Sequence, residues 1–344
     1  MWSVLGLKAT ADRLLGRFRN HMSEIERVNV LEFMRQSFVP PASSLRVCFT
    51  SRSSAGAWQI RGQQIAAMRS NWNAVNKPSV TDLEQCDLLC IVKKPDRKVI
   101  SLARRMNKPI VFDIVDSWAQ PEDGLLCPDK GKARELFAQG WRDINADGYI
   151  FPTGHMQEDL GALVQDKITI YHHYWPHIQT NPIRDRVSVI GYEGADYLGQ
   201  WLPRIEHACA ERGIRFVANP QNYTDLDVVV LARGGEHGNF LSRSYKSNVK
   251  LANAYGSGTP ALVHFDEMSA HDTDTGDVLF FTDQPGSFER QLDRLIDSYT
   301  LRISIQERFL NAAPRFHINH IADQFEGFFM HILNNQVRKH ARTD

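Results

Sequence analysis

Arg243-Ser-Tyr-Lys246-Ser-Asn248-Val-Lys250-Leu-Ala-Asn253-Ala-Tyr-Gly256-Ser-Gly258-Thr-Pro260-Ala-Leu-Val263 is the stretch that decides how this chain folds. It reads as a polar loop, a helix, a glycine turn and a buried strand. Gly256, Gly258 and Pro260 stop the helix, since glycine takes the left-handed cap and proline cannot continue the turn. Ala261-Leu-Val263 then begins the strand. Lys246, Asn248, Lys250 and Asn253 crowd the helix start. Free N–H groups and a partial positive charge there can hold a phosphate, and two lysines add mobile point charges. A solvated basic helix packed on a sheet is the other reading of the same pattern.

Outward from this stretch, strands and helices alternate. Arg46–Thr50, Asp87–Val92, Pro109–Ile114, Gly148–Phe151 and Ile168–Tyr171 read as strands, with helices expected over 59–68, 98–106 and 132–139. Pro176–Pro182 reads as a linker, after which the pattern restarts. Arg186–Gly191, Ile214–Val217, Asp227–Leu231, Pro260–His264 and Leu279–Thr282 are strands, and helices are expected over 199–212, 287–298, 301–312 and 318–338. Short strands separated by helices of about ten residues predict parallel sheets wound by right-handed crossovers. The organisation is therefore α/β, in two halves with a helical tail.

At 344 residues the chain is long enough for two separate cores. Lys+Arg and Asp+Glu both number 40, so global charge gives no support to nucleic-acid binding, which usually shows a basic excess. The five cysteines, Cys48, Cys86, Cys90, Cys127 and Cys209, are scattered and odd in number. They read as small hydrophobes in a reducing compartment, not as a disulfide framework. No apolar run approaches the length of a membrane span, no secretory signal is evident, and the cytoplasm is the expected location. In residues 1–20, Leu5, Leu7, Ala11, Leu14, Leu15 and Phe18 share one helical face while Lys8, Arg13, Arg17 and Arg19 lie elsewhere. Such a helix suits an anionic membrane surface, giving peripheral contact, or a protein neighbour.

Ligands of open α/β sheets collect beyond the carboxyl ends of the strands, so the polar residues there matter most. In the first half, Ser51 to Gly56 follows the opening strand, and Gly56 would let a substrate approach the backbone. No G-x-G-x-x-G fingerprint accompanies it, so nicotinamide dinucleotide binding is weakly supported. Asp113 and Asp116 lie near the end of the third strand. A carboxylate there can orient a hydroxyl or take its proton, or simply cap a turn. Trp118 beside them suits a stacking platform or core. His172 and His173 point to opposite faces of a strand and cannot easily share an ion. With His177, they read as hinge or cleft lining. His317 and His320 read as helix packing. In the second half, Gly191 and Gly194 flank the turn after the opening strand, and Arg233 ends another strand. Arg233, Lys246 and Lys250 together suit a diphosphate whose charge grows as it leaves, a role that needs no metal.

Lys246-Ser-Asn-Val-Lys-Leu-Ala-Asn-Ala-Tyr-Gly-Ser-Gly-Thr-Pro260, followed by Asp266-Glu267 and the segment 276–281, resembles the donor-site helix of glycosyltransferases of the GT-B fold, especially the retaining class called family 4. The tail through Ile321-Ala-Asp-Gln-Phe325 resembles the terminal helices that cross back to the first domain. The resemblance covers residues 45–330. It implies two Rossmann-like domains facing a cleft: an acceptor domain over 43–178, a nucleotide-sugar donor domain over 179–313, and a C-terminal helix over 314–344 packing back; residues 1–42, outside the resemblance, read as an N-terminal helical extension. It implies a nucleotide-sugar co-substrate, a hydroxyl acceptor (a glycan or lipid-linked sugar, with a hydroxylated DNA base less expected) and no metal or other cofactor. By position, Lys246, Asn248 and Lys250 would contact the donor diphosphate or sugar, Asn253 would face the ribose, and Gly56 would approach the phosphate from the other domain. Gly191, Gly194 and Arg233 complete the donor set, and Asp116 and Lys250 would carry the chemistry. Relatives often carry two glutamates eight positions apart, where this chain has Tyr245 and Asn253, and a histidine where it has Val115. Those departures keep open a non-catalytic sugar-nucleotide-binding scaffold and, more distantly, a nucleotide-sugar epimerase.

Overall fold

In the computed structural model, residues 24–340 are described except 55, 117–126, 128, 195–196, 236–238 and 275. The amphipathic stretch 1–20 and Trp118 lie outside the described residues. A helix, Glu24–Ser37, leads into the first sheet.

That sheet has six parallel strands: β1 (Val47–Thr50), β2 (Trp72–Ala74), β3 (Leu88–Val92), β4 (Ile110–Asp113), β5 (Gly148–Phe151) and β6 (Lys167–Thr169), in the order β2-β1-β3-β4-β5-β6. The second has five: β7 (Val189–Tyr192), β8 (Arg215–Ala218), β9 (Val228–Leu231), β10 (Ala261–His264) and β11 (Leu279–Phe281), in the order β11-β10-β9-β7-β8. The strands expected from apolar runs are present because both sheet faces are covered. Leu88 to Val92 and Val228 to Leu231 are buried throughout, as central parallel strands must be. The added strand, β2, is a three-residue edge strand whose sequence Trp-Asn-Ala carries no apolar run. Each sheet reverses its winding once, between β1 and β3 in the first and between β7 and β9 in the second. In such sheets a crevice opens where the winding reverses.

The helix expected over 59–68 takes another form. A short turn, Gly56–Trp58, runs into a π-helical turn, Gln59–Gln64. A Cβ on Gly62 would lie 2.3 Å from the Trp58 ring, so only glycine lets that indole pack here. The widened turn brings Arg61 inward, where its Nε and Nη2 donate to the two Asp113 oxygens at 2.8 and 3.0 Å. Both side chains are fully buried.

The helix Ile318–His340 packs on the first sheet through Phe325, Phe328, Phe329 and Ile332. Its approach requires glycine on β5, because a Cβ at Gly148 would fall 2.6 Å from Ile332. The other face of that sheet buries Phe137, Trp141, Met156 and Leu160 together with Leu241 and Tyr245, which come from the second half of the chain. The short helix Phe240–Ser244 thus plugs into the first lobe. All five cysteines are buried free thiols. Among the described residues no helix is long and apolar enough to cross a membrane.

Candidate functional site

The loops after β7 and β9 border the winding reversal of the second sheet, and the helix Val249–Ser257 stands over it. Gly258, at φ 70°, ends that helix in the left-handed conformation glycine adopts without strain. The helix begins one residue after Asn248, so Lys246 and Asn248 lie before it and Lys250 lies in its first turn.

Lys250 Nζ donates to the Tyr192 hydroxyl at 3.2 Å and sits 4.2 Å above that ring. Burial, with Arg233 adding repulsion, lowers its pKa to about 7, although Glu267 and Glu193 pull the other way. Gly194 has φ 137°, and a Cβ there would meet Lys250 Nζ at 2.7 Å. The missing side chain is what lets the ammonium lie against the backbone. Arg233 is ion-paired with Glu267, and its Nε and the Glu267 Oε1 are both buried without a hydrogen-bond partner among the described residues. Arg233, Asn248, Lys250 and Glu267 border a cavity of about 10 Å³. That is room for about one water, so a diphosphate would have to part these walls.

The first lobe meets this cluster with Asp116. Its Oδ2 accepts from Lys93 Nζ at 2.8 Å and from Lys246 Nζ, across the crevice, at 3.2 Å. Burial pushes the Asp116 pKa upward, but Lys246 and Lys93 together outweigh it and hold the carboxyl well below its usual range. Lys93 and Val115 both have positive φ, 59° and 67°. A β-branched residue rarely adopts that conformation, and such strain gathers where backbone placement matters. Here it aims Lys93 and Asp116 at each other from neighbouring strands.

The structure thus brings together five of the expected residues: Asp116, Arg233, Lys246, Asn248 and Lys250, with Gly194 against them. The others have different surroundings. Gly56 is exposed, with nothing near its Cβ position. Gly191 makes room for Leu226, 2.4 Å from where its Cβ would be, so its smallness serves packing. Asn253 is fully buried and occupied: its Oδ1 accepts from Trp175 N at 2.9 Å, and its Nδ2 donates to Glu193 Oε2 at 2.8 Å. Tyr245 hydrogen-bonds Asp159 at 3.0 Å inside the first lobe.

Sequence reasoning missed Glu193, Lys93 and Tyr192. Glu193 Oε2 also accepts from the Tyr223 hydroxyl at 2.8 Å, so a carboxylate stands beside Asn253, supplied by another loop. Its place right after a strand was the one available signal. Among the described residues, His264, Asp266 and Asp283 bring ligand atoms within 4.8 Å of one another. Asp266 N–H donates to His264 Nδ1 at 3.3 Å, which puts the ring proton on Nε2, 3.4 Å from Asp283. Arg243 already holds Asp266. A donor set with a proton and a guanidinium among it fits a resident cation poorly.

No family model and no curated protein matches the sequence. Solved structures do match. Anabaena HepE, in a complex with UDP and glucose, superposes with a TM-score of 0.55 at 13% identity, covering 83% of this chain and 99% of that one. Sucrose-phosphate synthase from Thermosynechococcus elongatus gives 0.56 at 10% identity, covering 84% and 99%. A glycosyltransferase from Rickettsia africae gives 0.54 at 9% identity, covering 85% and 100%. The fold of this chain is GT-B: two Rossmann-like sheets with a long C-terminal helix returning to the first.

Proposed function

We propose that this protein is a glycosyltransferase that moves a sugar from a nucleotide diphosphate, UDP in the first instance, to a hydroxyl acceptor. The observation that carries this reading is the convergence of Lys250, Arg233 and Lys246 at the winding reversal of the second sheet, with Lys250 seated against the side-chain-free Gly194, facing Asp116 of the first lobe. The UDP held by Anabaena HepE supports the choice of nucleotide.

In this reading Lys250 and Arg233 take the diphosphate. An amine that titrates near neutrality gains a proton as the anion arrives, and the resulting ammonium is then fixed where charge develops on the leaving oxygen. Asp116, kept ionised by two lysines, is a weak base. It orients the acceptor hydroxyl. The departing phosphate oxygen is the stronger base and takes the hydroxyl proton as the new C–O bond forms on the same face, which gives retention. Lobe contact keeps water from competing. The acceptor is a glycan or a lipid-linked sugar, and the charge balance gives DNA no advantage.

Calorimetric titration with UDP-, GDP-, ADP- and CMP-linked sugars, followed by an assay for nucleotide release with an acceptor panel, tests the reading. Binding of one of these, lost in Lys250→Ala, is expected. No binding by the wild-type protein would refute it. Two observations favour a second reading, a sugar-nucleotide-binding scaffold: the cavity at Lys250 is small, and Tyr245 and Asn253 are committed to internal contacts. Donor binding without turnover across the panel would select that one.

A further inference from the structure

Three residues far apart in sequence leave polar atoms buried and unpaired at one interlobe junction. His172 is 2% exposed, and neither ring nitrogen has a hydrogen-bond partner among the described residues. The same holds for Asn248 Nδ2 and Asp116 Oδ1. The three are tied together. His172 N–H donates to Asn248 Oδ1 at 2.9 Å, and Lys246, two residues before Asn248, reaches Asp116 at 3.2 Å. The His172 ring feels the charges of Arg61, Asp116 and Lys93. Nor is its backbone loose: the preceding carbonyl, of Tyr171, accepts from Arg61 Nη1 at 2.9 Å, and Arg61 is locked on Asp113. The chain leaving β6 is thereby drawn toward the carboxyl end of β4, close to the crevice.

Buried polar atoms without partners cost stability, and finding several at one place calls for a ligand that completes them. The chemistry of the set says which. Burial holds His172 neutral at pH 7, so its ring offers one N–H and one lone pair. Asn248 Nδ2 donates and Asp116 Oδ1 accepts. A phosphate would meet the Asp116 carboxylate, and a cation would meet Lys93 and Lys246. Hydroxyl groups, which both donate and accept, match the set. Lys250, with its place for the diphosphate, is two residues from Asn248.

We propose that His172, with Asn248 Nδ2, binds hydroxyls of the transferred sugar beside the Asp116 Oδ1 that orients the acceptor, and so determines which nucleotide sugar is accepted. The proposal rests on the donor reading above and adds to it a residue just before the linker between the lobes. The resemblance to known glycosyltransferases did not point to this residue.

The test compares affinities for a nucleotide and its sugar-bearing form, UDP and UDP-glucose first, then the tightest pair from the donor panel. Calorimetry is run on the wild type, His172→Leu and His172→Phe. Removing unpaired polar atoms from a buried site should leave the melting temperature equal or higher. The expected result is a loss of about tenfold in affinity for the sugar form, with affinity for the bare nucleotide unchanged. The second apolar variant decides the matter if the first does not fold. Equal affinities in variant and wild type would overturn the proposal, as would equal losses for both ligands. Failure of the wild type to bind any nucleotide sugar would instead remove the donor reading, and this inference with it.

Discussion

Two buried charge clusters lie three residues apart on the same strand end, and they are built to opposite standards. Arg61 and Asp113 are fully buried and fully paired. The fork of Arg61 meets both carboxylate oxygens, its remaining Nη1 meets Tyr171 O, and its Cζ lies 4.7 Å from the ring centroid of Phe325 in the C-terminal helix. The cluster around Asp116 is different. Two ammonium groups share one of its oxygens while the other has no partner, and His172, Asn248, Arg233 and Glu267 each leave buried atoms unpaired among the described residues. A satisfied buried pair fixes structure. An unsatisfied one leaves atoms that a ligand or an ordered water can complete.

The comparison is broken most severely at the satisfied pair. Arg61→Leu leaves Asp113 buried without its partner and should cost about 3–5 kcal/mol, read as a lower urea midpoint. An equal urea midpoint in the variant would show that the pair does not fix the lobe. At the unsatisfied cluster the loss falls on function. Lys250→Ala should lower transfer by about two to three orders of magnitude, the cost of removing one fixed group that stabilises developing charge. Its melting temperature should stay level or rise, because Lys250 is crowded by Arg233. Gly194→Ala places a methyl against Lys250 Nζ at a backbone conformation alanine resists, and donor affinity should fall about tenfold while the fold persists.

A pH titration sharpens the contrast with a smaller effect. Lys250 has its pKa lowered to about 7 from an ordinary 10.5. A bound diphosphate favours the charged form. Donor affinity should therefore be greatest below pH 7 and fall as pH rises above it, with proton uptake on binding seen by calorimetry in buffers of different ionisation enthalpy. The stability contribution has its own sign. Between pH 7 and 10.5 the unfolded lysine keeps its proton and the folded one does not, so the penalty Lys250 imposes is full below pH 7 and fades as pH rises. Lys250→Met should flatten both trends.

Much of the fold was legible because buried parallel strands write themselves as apolar runs. Asp87–Val92, Asp227–Leu231 and Pro260–His264 are such runs, and the Gly258–Pro260 stop marked the helix end beside them. β2 was not legible, since a three-residue edge strand holding Asn73 needs no apolar pattern. Nor was the π turn at Gln59–Gln64, which depends on how Trp58 lies over Gly62. At the site, the cations could be picked out because charge at a helix start is a local signal. The commitments of Asn253 to Glu193 and Trp175, and of Tyr245 to Asp159, join residues 60 to 86 positions apart, and spacing along the chain does not record them. His172 could be placed near a hinge from sequence. That its ring nitrogens would be left without partners only the three-dimensional packing reveals.

Leu241 and Tyr245 travel with the half of the chain that forms the second sheet, yet both are wholly enclosed among Phe137, Met156 and Leu160 beneath the first. Prising the lobes apart means wetting them. At about 1.5–3 kcal/mol for each large apolar side chain, wetting this pair alone costs about 4 kcal/mol, and the Lys246–Asp116 and His155–Asp272 contacts across the same junction must break as well. Were a nucleotide to bind as proposed, its entry and departure would have to wait on the release of this wedge.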